Sequence, residues 1–228
     1  MASDALSLLT FLMGFSLLSQ SSSSCPQYCV CQGASVECKS HNLKTFPTSF
    51  PSGTRHLEMR GCNFTVVPSE ALSTTPDLSE LWLNKINGLT SLPSDLLKNV
   101  PKLTFLSLHT NTLLRIPAGL LDGVPLLEFL ALDLTALYSI DGAFLSKVPE
   151  LRRLGLANTN LITLPFNLFS ANTKLTDIHI KGNPLILDLA SSCPLGVAKK
   201  RTSGGNFDAD PLAKIFAQQL VYNCSVNS

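Results

Sequence analysis

Three residues of the types that act together in hydrolases, Ser107, His109 and Asp133, are spaced so that they fall on one face of a predicted β-sheet. Ser107 and His109 are separated by one residue on one strand, and Asp133 lies beside His109 on the next. Nucleophilic catalysis also needs hydrogen-bond reach, oxyanion donors and a pocket that excludes water. Strand geometry separates the first two Cα atoms by about 7 Å, and no nucleophile elbow accompanies the serine. The sequence therefore favours three solvated polar residues over an enzyme.

A cluster of cysteines near the start offers a second kind of chemistry. Its spacing is C-x3-C-x-C-x6-C. Cysteine thiolates at short spacing bind zinc in some proteins, and four cysteines in an oxidising compartment form disulfides with three alternative pairings. The cluster consists of Cys25, Cys29, Cys31 and Cys38.

The start of the chain predicts the compartment. An apolar run at residues 5–18 precedes the small polar run 19–24, as in a secretory signal peptide, although the leader begins with Asp4 and has no basic residue. An uncleaved anchor is the alternative, which the shortness of the apolar run disfavours. The last residues carry no hydrophobic tail, so we expect a secreted, soluble protein without membrane insertion.

Composition limits the classes of function. A chain of 228 residues with 45% hydrophobic content is large enough for one domain with a sizeable core. Its net charge of +1 provides no strong field to attract nucleic acid or an anionic membrane. No phosphate-binding glycine loop or metal-ligand spacing occurs elsewhere in the chain. We therefore expect no cofactor, no metal and no nucleic-acid partner.

The candidate serine, histidine, aspartate and cysteine residues are positioned by a sequence repeat of about 24 residues. The consensus reads L-x-x-L-x-L-x-x-(N/T/C)-x-L, followed in most copies by a Leu/Ile-Pro pair and two further apolar residues. The L-x-L core alternates as a half-buried strand does, and successive strands must stack in parallel to bury their leucines. Clear copies start at Leu103, Leu127 and Leu151, a looser copy with one extra residue (Asn87 or Gly88) starts at Leu78, and partial copies start near Thr54 and Leu175.

The repeated unit resembles the leucine-rich repeat of vertebrate extracellular proteins. The resemblance implies an α/β solenoid with a curved parallel sheet on the concave face, an irregular or short-helical convex side and disulfide-bonded caps. The expected organisation is a signal peptide at 1–24, an N-terminal cap at 25–53, about six repeats at 54–185 and a C-terminal cap at 186–228.

The same resemblance identifies the cysteine cluster as the N-terminal cap of extracellular family members. It implies the disulfides Cys25–Cys31 and Cys29–Cys38. A further cysteine, Cys62, occupies the ninth repeat position, where cysteine substitutes for asparagine in the family, and is expected to be a buried free thiol. A disulfide between two copies of the chain is the alternative.

The C-terminal cap departs from the family pattern. Leucines at 187 and 189 stand where the usual N-P-W-x-C-x-C motif has cysteines. Cys193 and Cys224 are predicted to pair, and Asp210-Pro211 is predicted to start a short helix that covers the last coil.

Side chains that alternate with the core leucines form columns across the predicted concave face. The only tryptophan and two phenylalanines meet in the middle, with charged residues on both sides. Aromatic anchors inside a polar rim are typical of a protein-binding hot spot, whereas isolated exposed aromatics are ordinary. The candidate ligand-binding residues are Trp82, Phe105, Phe129, His56, Glu80, His109, Asp133 and Arg153.

The pattern L-P-x-x-L-L-x-x-V-P-x-L at 92–103, the two-cysteine end and the absence of a tail resemble leucine-rich α2-glycoprotein and the serum phospholipase A2 inhibitors. This implies a monomeric, secreted binding module with an extracellular protein ligand, in inflammation, innate immunity or growth-factor signalling. A matrix protein that binds collagen or glycoprotein and an antigen binder like the variable lymphocyte receptors are the alternatives. Asn63-Phe64-Thr65 is a predicted N-glycosylation site.

Overall fold

The computed structural model describes residues 25–165 and 168–185. Within this part of the chain, one sheet contains eight strands in sequence order. β1 and β2 form an antiparallel pair, and every later strand adds to the sheet in parallel. The strands are β1 (Val30–Gln32), β2 (Ser35–Cys38), β3 (His56–Arg60), β4 (Glu80–Asn84), β5 (Phe105–Ser107), β6 (Phe129–Ala131), β7 (Arg153–Gly155) and β8 (Asp177–His179).

A single apolar core runs along the inside of the solenoid. The middle leucines of β5, β6 and β7 are register partners and are at most 2% exposed. Each strand is too short to bury its leucines alone, so the core exists only because neighbouring coils stack. These leucines are Leu106, Leu130 and Leu154.

Each coil turns away from the sheet through a residue in the left-handed region. The φ values lie between 52° and 78°, and the ninth repeat position follows directly. In the third coil this position is Asn111, which donates from Nδ2 to the carbonyls of Leu83 and Leu108 and accepts from the amide of Ile86. These bonds satisfy backbone groups that the turn would leave unpaired. The left-handed residues are Gly61, Lys85, Thr110, Leu134, Asn158 and Gly182.

The convex side consists of turns, and no helix occurs in the described residues. The proline of each Leu/Ile-Pro pair begins a turn that its own carbonyl closes: the amides of Leu96 and Leu120 donate to Pro93 and Pro117. Of the two expected forms of the convex side, the irregular one is therefore found in the described coils.

The N-terminal cap covers the open end of the sheet with the β1–β2 hairpin. The structure pairs Cys25 with Cys31 and Cys29 with Cys38, as the family resemblance implies. Cys62 is a buried free thiol whose Sγ donates to the carbonyl of Cys38 at 3.3 Å, and burial raises its thiol pKa.

Four predictions lie outside the described residues: the signal peptide at 1–24, the C-terminal cap at 186–228, its Cys193–Cys224 disulfide and its helix after Asp210-Pro211. Within the described residues, no helix has the length and apolar character needed to cross a membrane.

Candidate functional site: the concave face

The strand register aligns the predicted columns across the whole sheet, including the irregular copy that contains Trp82. Trp82 pairs with Glu58 on one side and Ser107 on the other. The side-chain amide of Asn87 still bonds Asn63 in the previous coil, so Gly88, with φ of 83°, is the extra residue. The third-position column consists of His56, Glu80, Phe105, Phe129, Arg153 and Asp177.

Trp82, Phe105 and Phe129 form a continuous stack, which we call the aromatic row. The ring centroids of Trp82 and Phe105 are 4.2 Å apart, and those of Phe105 and Phe129 are 4.4 Å apart at an interplanar angle of 3°. All three side chains are partly exposed. Both faces of the Phe105 ring are covered by its neighbours, so a ligand meets ring edges, which carry the positive part of the aromatic quadrupole.

The tryptophan brings an unused hydrogen-bond donor to this row. Trp82 Nε1 is buried and has no hydrogen-bond partner among the described residues. Tryptophan N–H groups usually find a partner when buried, and an unsatisfied buried donor costs about 1–3 kcal/mol.

Charged side chains border both ends of the row. At the N-terminal end, the ring centroids of His56 and Trp82 are 6.4 Å apart, and His56 Nδ1 is 2.9 Å from Glu80 Oε2. At the other end, Arg153 is exposed and is the register partner of both Phe129 and Asp177. The structure therefore brings the aromatic candidates together and places charged candidates on either side of them.

Two polar side chains of the concave face are covered. Ser107 is 1% exposed and Asn84 is 3% exposed, and the Ser107 hydroxyl donates to Asn84 Oδ1 at 2.9 Å. The prediction that Ser107 is solvated is wrong. Both lie in a sheet whose neighbouring strands carry the large rings, and they form a polar floor instead.

His109 and Asp133 lie beside this floor, each with its own partner. His109 Nδ1 is 2.7 Å from Thr110 Oγ1, and Asp133 Oδ1 accepts from the amide of Ala157 at 2.8 Å. Burial lowers the pKa of His109, and the charge of Asp133 opposes this in part. With Ser107 bonded to Asn84, the three residues have separate contacts and are not linked as a hydrolase triad.

The Asp133 carboxylate occupies space that only a glycine leaves free. A Cβ on Gly155 would collide with Asp133 Oδ2. The coil after Asp133 therefore has no side chain at this strand position, and the carboxylate lies over the bare backbone of β7.

Two carboxylates at the N-terminal end of the sheet are bridged by a lysine. Ligand atoms of Glu37, His56 and Glu58 lie within 4.8 Å of one another. Lys39 Nζ contacts Glu37 at 2.8 Å and Glu58 at 2.9 Å, and the contact with Glu37 lowers the pKa of that carboxyl and raises the pKa of Lys39. The ammonium group is thus the cation of this cluster.

Comparison with known proteins agrees with the geometry. Human leucine-rich repeats and immunoglobulin-like domains protein 1 is 33% identical over 70 residues, 31% of this chain. Leucine-rich repeat-containing protein 3 of Danio rerio is 30% identical over 39% of the chain. In the solved Toll–Spatzle complex of Drosophila, the matching chain covers 58% of this chain at a TM-score of 0.55 and 26% identity. The chain has the leucine-rich repeat fold.

The chain spans only part of the length of the relatives that it matches. The matches cover 6% of the human protein, 35% of the fish protein and 18% of the matching chain in the Toll–Spatzle complex. No protein-family model matches it. Leucine-rich repeat relatives and a Toll-like fold indicate a protein-interaction module. They do not support the narrower resemblance to leucine-rich α2-glycoprotein.

The leucine-rich repeats also carry an apolar column that the sequence analysis did not single out. Leu114, Tyr138 and Ile162 occupy one repeat position, just past the turn that leaves the sheet, and are 37–49% exposed. The Arg115 guanidinium lies 4.9 Å from the Tyr138 ring centroid, and its Nε donates to the tyrosine hydroxyl. We call Leu114, Tyr138 and Ile162 the lateral column. Their recurrence once in each of three successive repeats is the sequence signal that identifies them.

Proposed function

We propose that this chain is a secreted binding module and that its protein ligand docks on the aromatic row of the concave face. The observation that carries the proposal is the continuous stack of three partly exposed rings at 4.2 and 4.4 Å in the middle of the sheet. Grouped aromatic surface inside a charged rim matches the composition of binding hot spots.

The order of the sheet supports binding at this place. The row lies on strands that are paired on both sides, and the rings are packed against one another before any ligand arrives. Little side-chain or backbone freedom is therefore lost on docking, so more of the contact energy becomes affinity.

The ring edges and the charged rim define what the ligand offers. Exposed ring edges attract carbonyl or carboxylate oxygens. Arg153 is exposed beside Phe129. A ligand segment with apolar side chains and acceptor oxygens fits both features together. Toll, the structural neighbour, was solved in complex with a protein, Spatzle.

Secretion is supported by the two disulfides of the N-terminal cap and by the leader-like segment at 1–24. Stable structural disulfides form in oxidising compartments and are rare in the cytosol.

The test is capture of ligands from extracellular fluid, read by mass spectrometry, followed by measurement of affinity for the captured protein. The test variant is Trp82→Ala/Phe105→Ala/Phe129→Ala, and the matched control is Leu114→Ala/Tyr138→Ala/Ile162→Ala, which removes as many exposed apolar side chains from the lateral column. Both variants must first show cooperative unfolding.

We expect the control to retain the ligand and the test variant to lose it, with affinity reduced by about 30-fold or more, the equivalent of at least one hot-spot residue. Equal capture by both variants would remove the aromatic row from the proposal. Loss in the control alone would move the site to the lateral column. Binding of collagen in place of soluble proteins would favour a matrix role.

A further inference from the structure

Asn63 begins the triplet Asn63-Phe64-Thr65, which has the N-x-Ser/Thr form of an N-glycosylation acceptor. It follows the turn at the end of β3, so it lies on the flank of the first coil and not on the concave face. The Phe64 side chain is 1% exposed and packs in the core, while Asn63 and Thr65 are exposed. The central residue therefore anchors the triplet and its two functional residues face solvent.

Within the described chain, the contacts of Asn63 leave its reactive atom unused. Its backbone amide donates to the carbonyl of Leu43 at 2.9 Å, and its Oδ1 accepts from Asn87 Nδ2 at 3.1 Å. A glycan is attached through Nδ2, and the linked amide keeps its carbonyl oxygen. Both contacts are therefore compatible with a modified side chain.

We propose that Asn63 carries an N-linked glycan, an inference that rests on the secreted role proposed above. The donor is a lipid pyrophosphate-linked oligosaccharide. A bond forms between Asn63 Nδ2 and the anomeric carbon of the first sugar, the bond from that carbon to the pyrophosphate oxygen breaks, and the lipid pyrophosphate leaves. The amide gives up one proton to a base of the transferase. Transfer takes place on the unfolded chain, and the exposed flank allows the folded chain to retain the product.

The glycan would lie on the flank of the first coil, away from the concave face. Thr65 occupies the same repeat position as the lateral column, three coils before Tyr138. Thr90 is the equivalent residue of the second coil, and its carbonyl accepts a hydrogen bond from the amide of Leu114 in the third coil. A glycan at Asn63 shields the polar, threonine-bearing end of this flank and leaves the concave aromatic row open to a ligand.

The fifth coil offers a register-matched reporter. Asn160 occupies the repeat position of Asn63, is exposed, and its amide donates to the Leu137 carbonyl at 2.8 Å just as Asn63 does to Leu43. Ile162→Thr creates an acceptor triplet there. Because Ile162 is 46% exposed, the substitution disturbs little of the core.

The experiment expresses the full chain with its own leader in vertebrate cells and compares the intact mass before and after peptide-N-glycosidase. Digestion in heavy-oxygen water marks each released site, and peptide mapping locates it. Asn63→Gln and Thr65→Ala test the triplet, Thr65→Ser is the conservative control, and Asn223→Gln removes the second triplet, Asn223-Cys224-Ser225.

We expect the glycan at Asn63 in the wild type and in Thr65→Ser, and its loss in Asn63→Gln and Thr65→Ala irrespective of Asn223. An unmodified Asn63 in protein collected from the medium, or beside a modified Asn160 in the reporter, would overturn this inference and leave secretion intact. Retention of the chain inside the cell with neither site modified would overturn secretion and this inference together.

Discussion

The aromatic row and the lateral column are both built by equivalent repeat positions in successive coils, and they differ in how their members meet. In the row, ring centroids are 4.2 and 4.4 Å apart and the side chains are partly exposed. In the lateral column, the side chains are 37–49% exposed, and the contact given by Tyr138 is with the charged side chain of Arg115. A repeat can therefore produce a stack of rings at one position and a more exposed column, with a charged neighbour, at another.

The difference follows from where each position lies in the coil. The row is on paired strands, where adjacent backbones are about 4.8 Å apart and planar rings can stack. The lateral column lies beyond the turn, where the described chain has no strand and the coils are joined by single backbone hydrogen bonds. Strand pairing thus creates the stack of rings, and disturbing the strands should affect the row more than the column.

The largest effect is expected for Leu130→Ala, which removes a core side chain of β6 directly next to Phe129. Leu130 is fully buried, so we expect a loss of about 2–5 kcal/mol in the free energy of unfolding. Ile162→Ala on the lateral column should cost less than about 0.5 kcal/mol. Urea unfolding of both variants measures these losses. Similar losses would contradict the difference in burial between Leu130 and Ile162.

Phe105→Ala should have the next largest effect, because it removes the ring that contacts both other members of the row. We expect a loss of about 2 kcal/mol in the free energy of unfolding, from two ring contacts worth about 0.5–1.5 kcal/mol each. Tyr138→Ala should lose less than about 1 kcal/mol, since an exposed cation–π contact contributes about that much. If the urea midpoints of the two variants are equal, the ring stack adds nothing to the stability of the fold.

The next pair of variants removes one polar group from each surface: the indole N–H of Trp82 from the row and the hydroxyl of Tyr138 from the lateral column. Trp82→Phe deletes a buried donor that has no partner within the described residues. Removing this unsatisfied donor stabilises the fold and offsets part of the loss from the smaller ring. We therefore expect the free energy of unfolding to change by at most about 1 kcal/mol. Tyr138→Phe deletes a hydroxyl that accepts from Arg115 and should cost about 0.5 kcal/mol. A loss well above about 1 kcal/mol in Trp82→Phe would mean that Nε1 has a partner in solution.

The smallest effect concerns pH and the concave face alone. Burial holds the pKa of His109 below its ordinary value of 6.5, so the unfolded chain binds this proton more readily and stability falls as pH falls through that range. His109→Gln should lose less stability than the wild type on acidification from about pH 7.5 to about pH 5. Comparing urea midpoints of the two proteins cancels every other titrating group, and parallel curves would refute the effect.

The columns could be predicted because the leucine spacing fixes which residues alternate with the core. Phe105 and Phe129 lie one repeat apart in two regular copies, and their pairing needs only that spacing. The alignment of Trp82 was harder, since an extra residue follows its strand. The extra residue, Gly88, lies in the turn after β4, so the strand register is unaffected. The role of these residues in ligand binding stays a prediction.

What could not be predicted depends on the size of neighbouring side chains. A period of two residues puts Asn84 and Ser107 on the concave face but does not reveal that they are covered and bonded to each other. In the same way, the position of Asp133 depends on the missing side chain of Gly155 in the next coil. Such contacts join two coils, and a repeat pattern describes each coil by itself.

The sequential order of the strands also has a consequence for how the chain folds. From β3 onward, register partners in neighbouring strands are separated by one repeat of the sequence, so each new coil closes a loop of nearly the same length as the one before it. The entropic cost of closure depends on loop length, so each coil adds nearly the same entropic cost. Folding can begin at any coil and extend in both directions, and a coil that is slow to form delays only those beyond it.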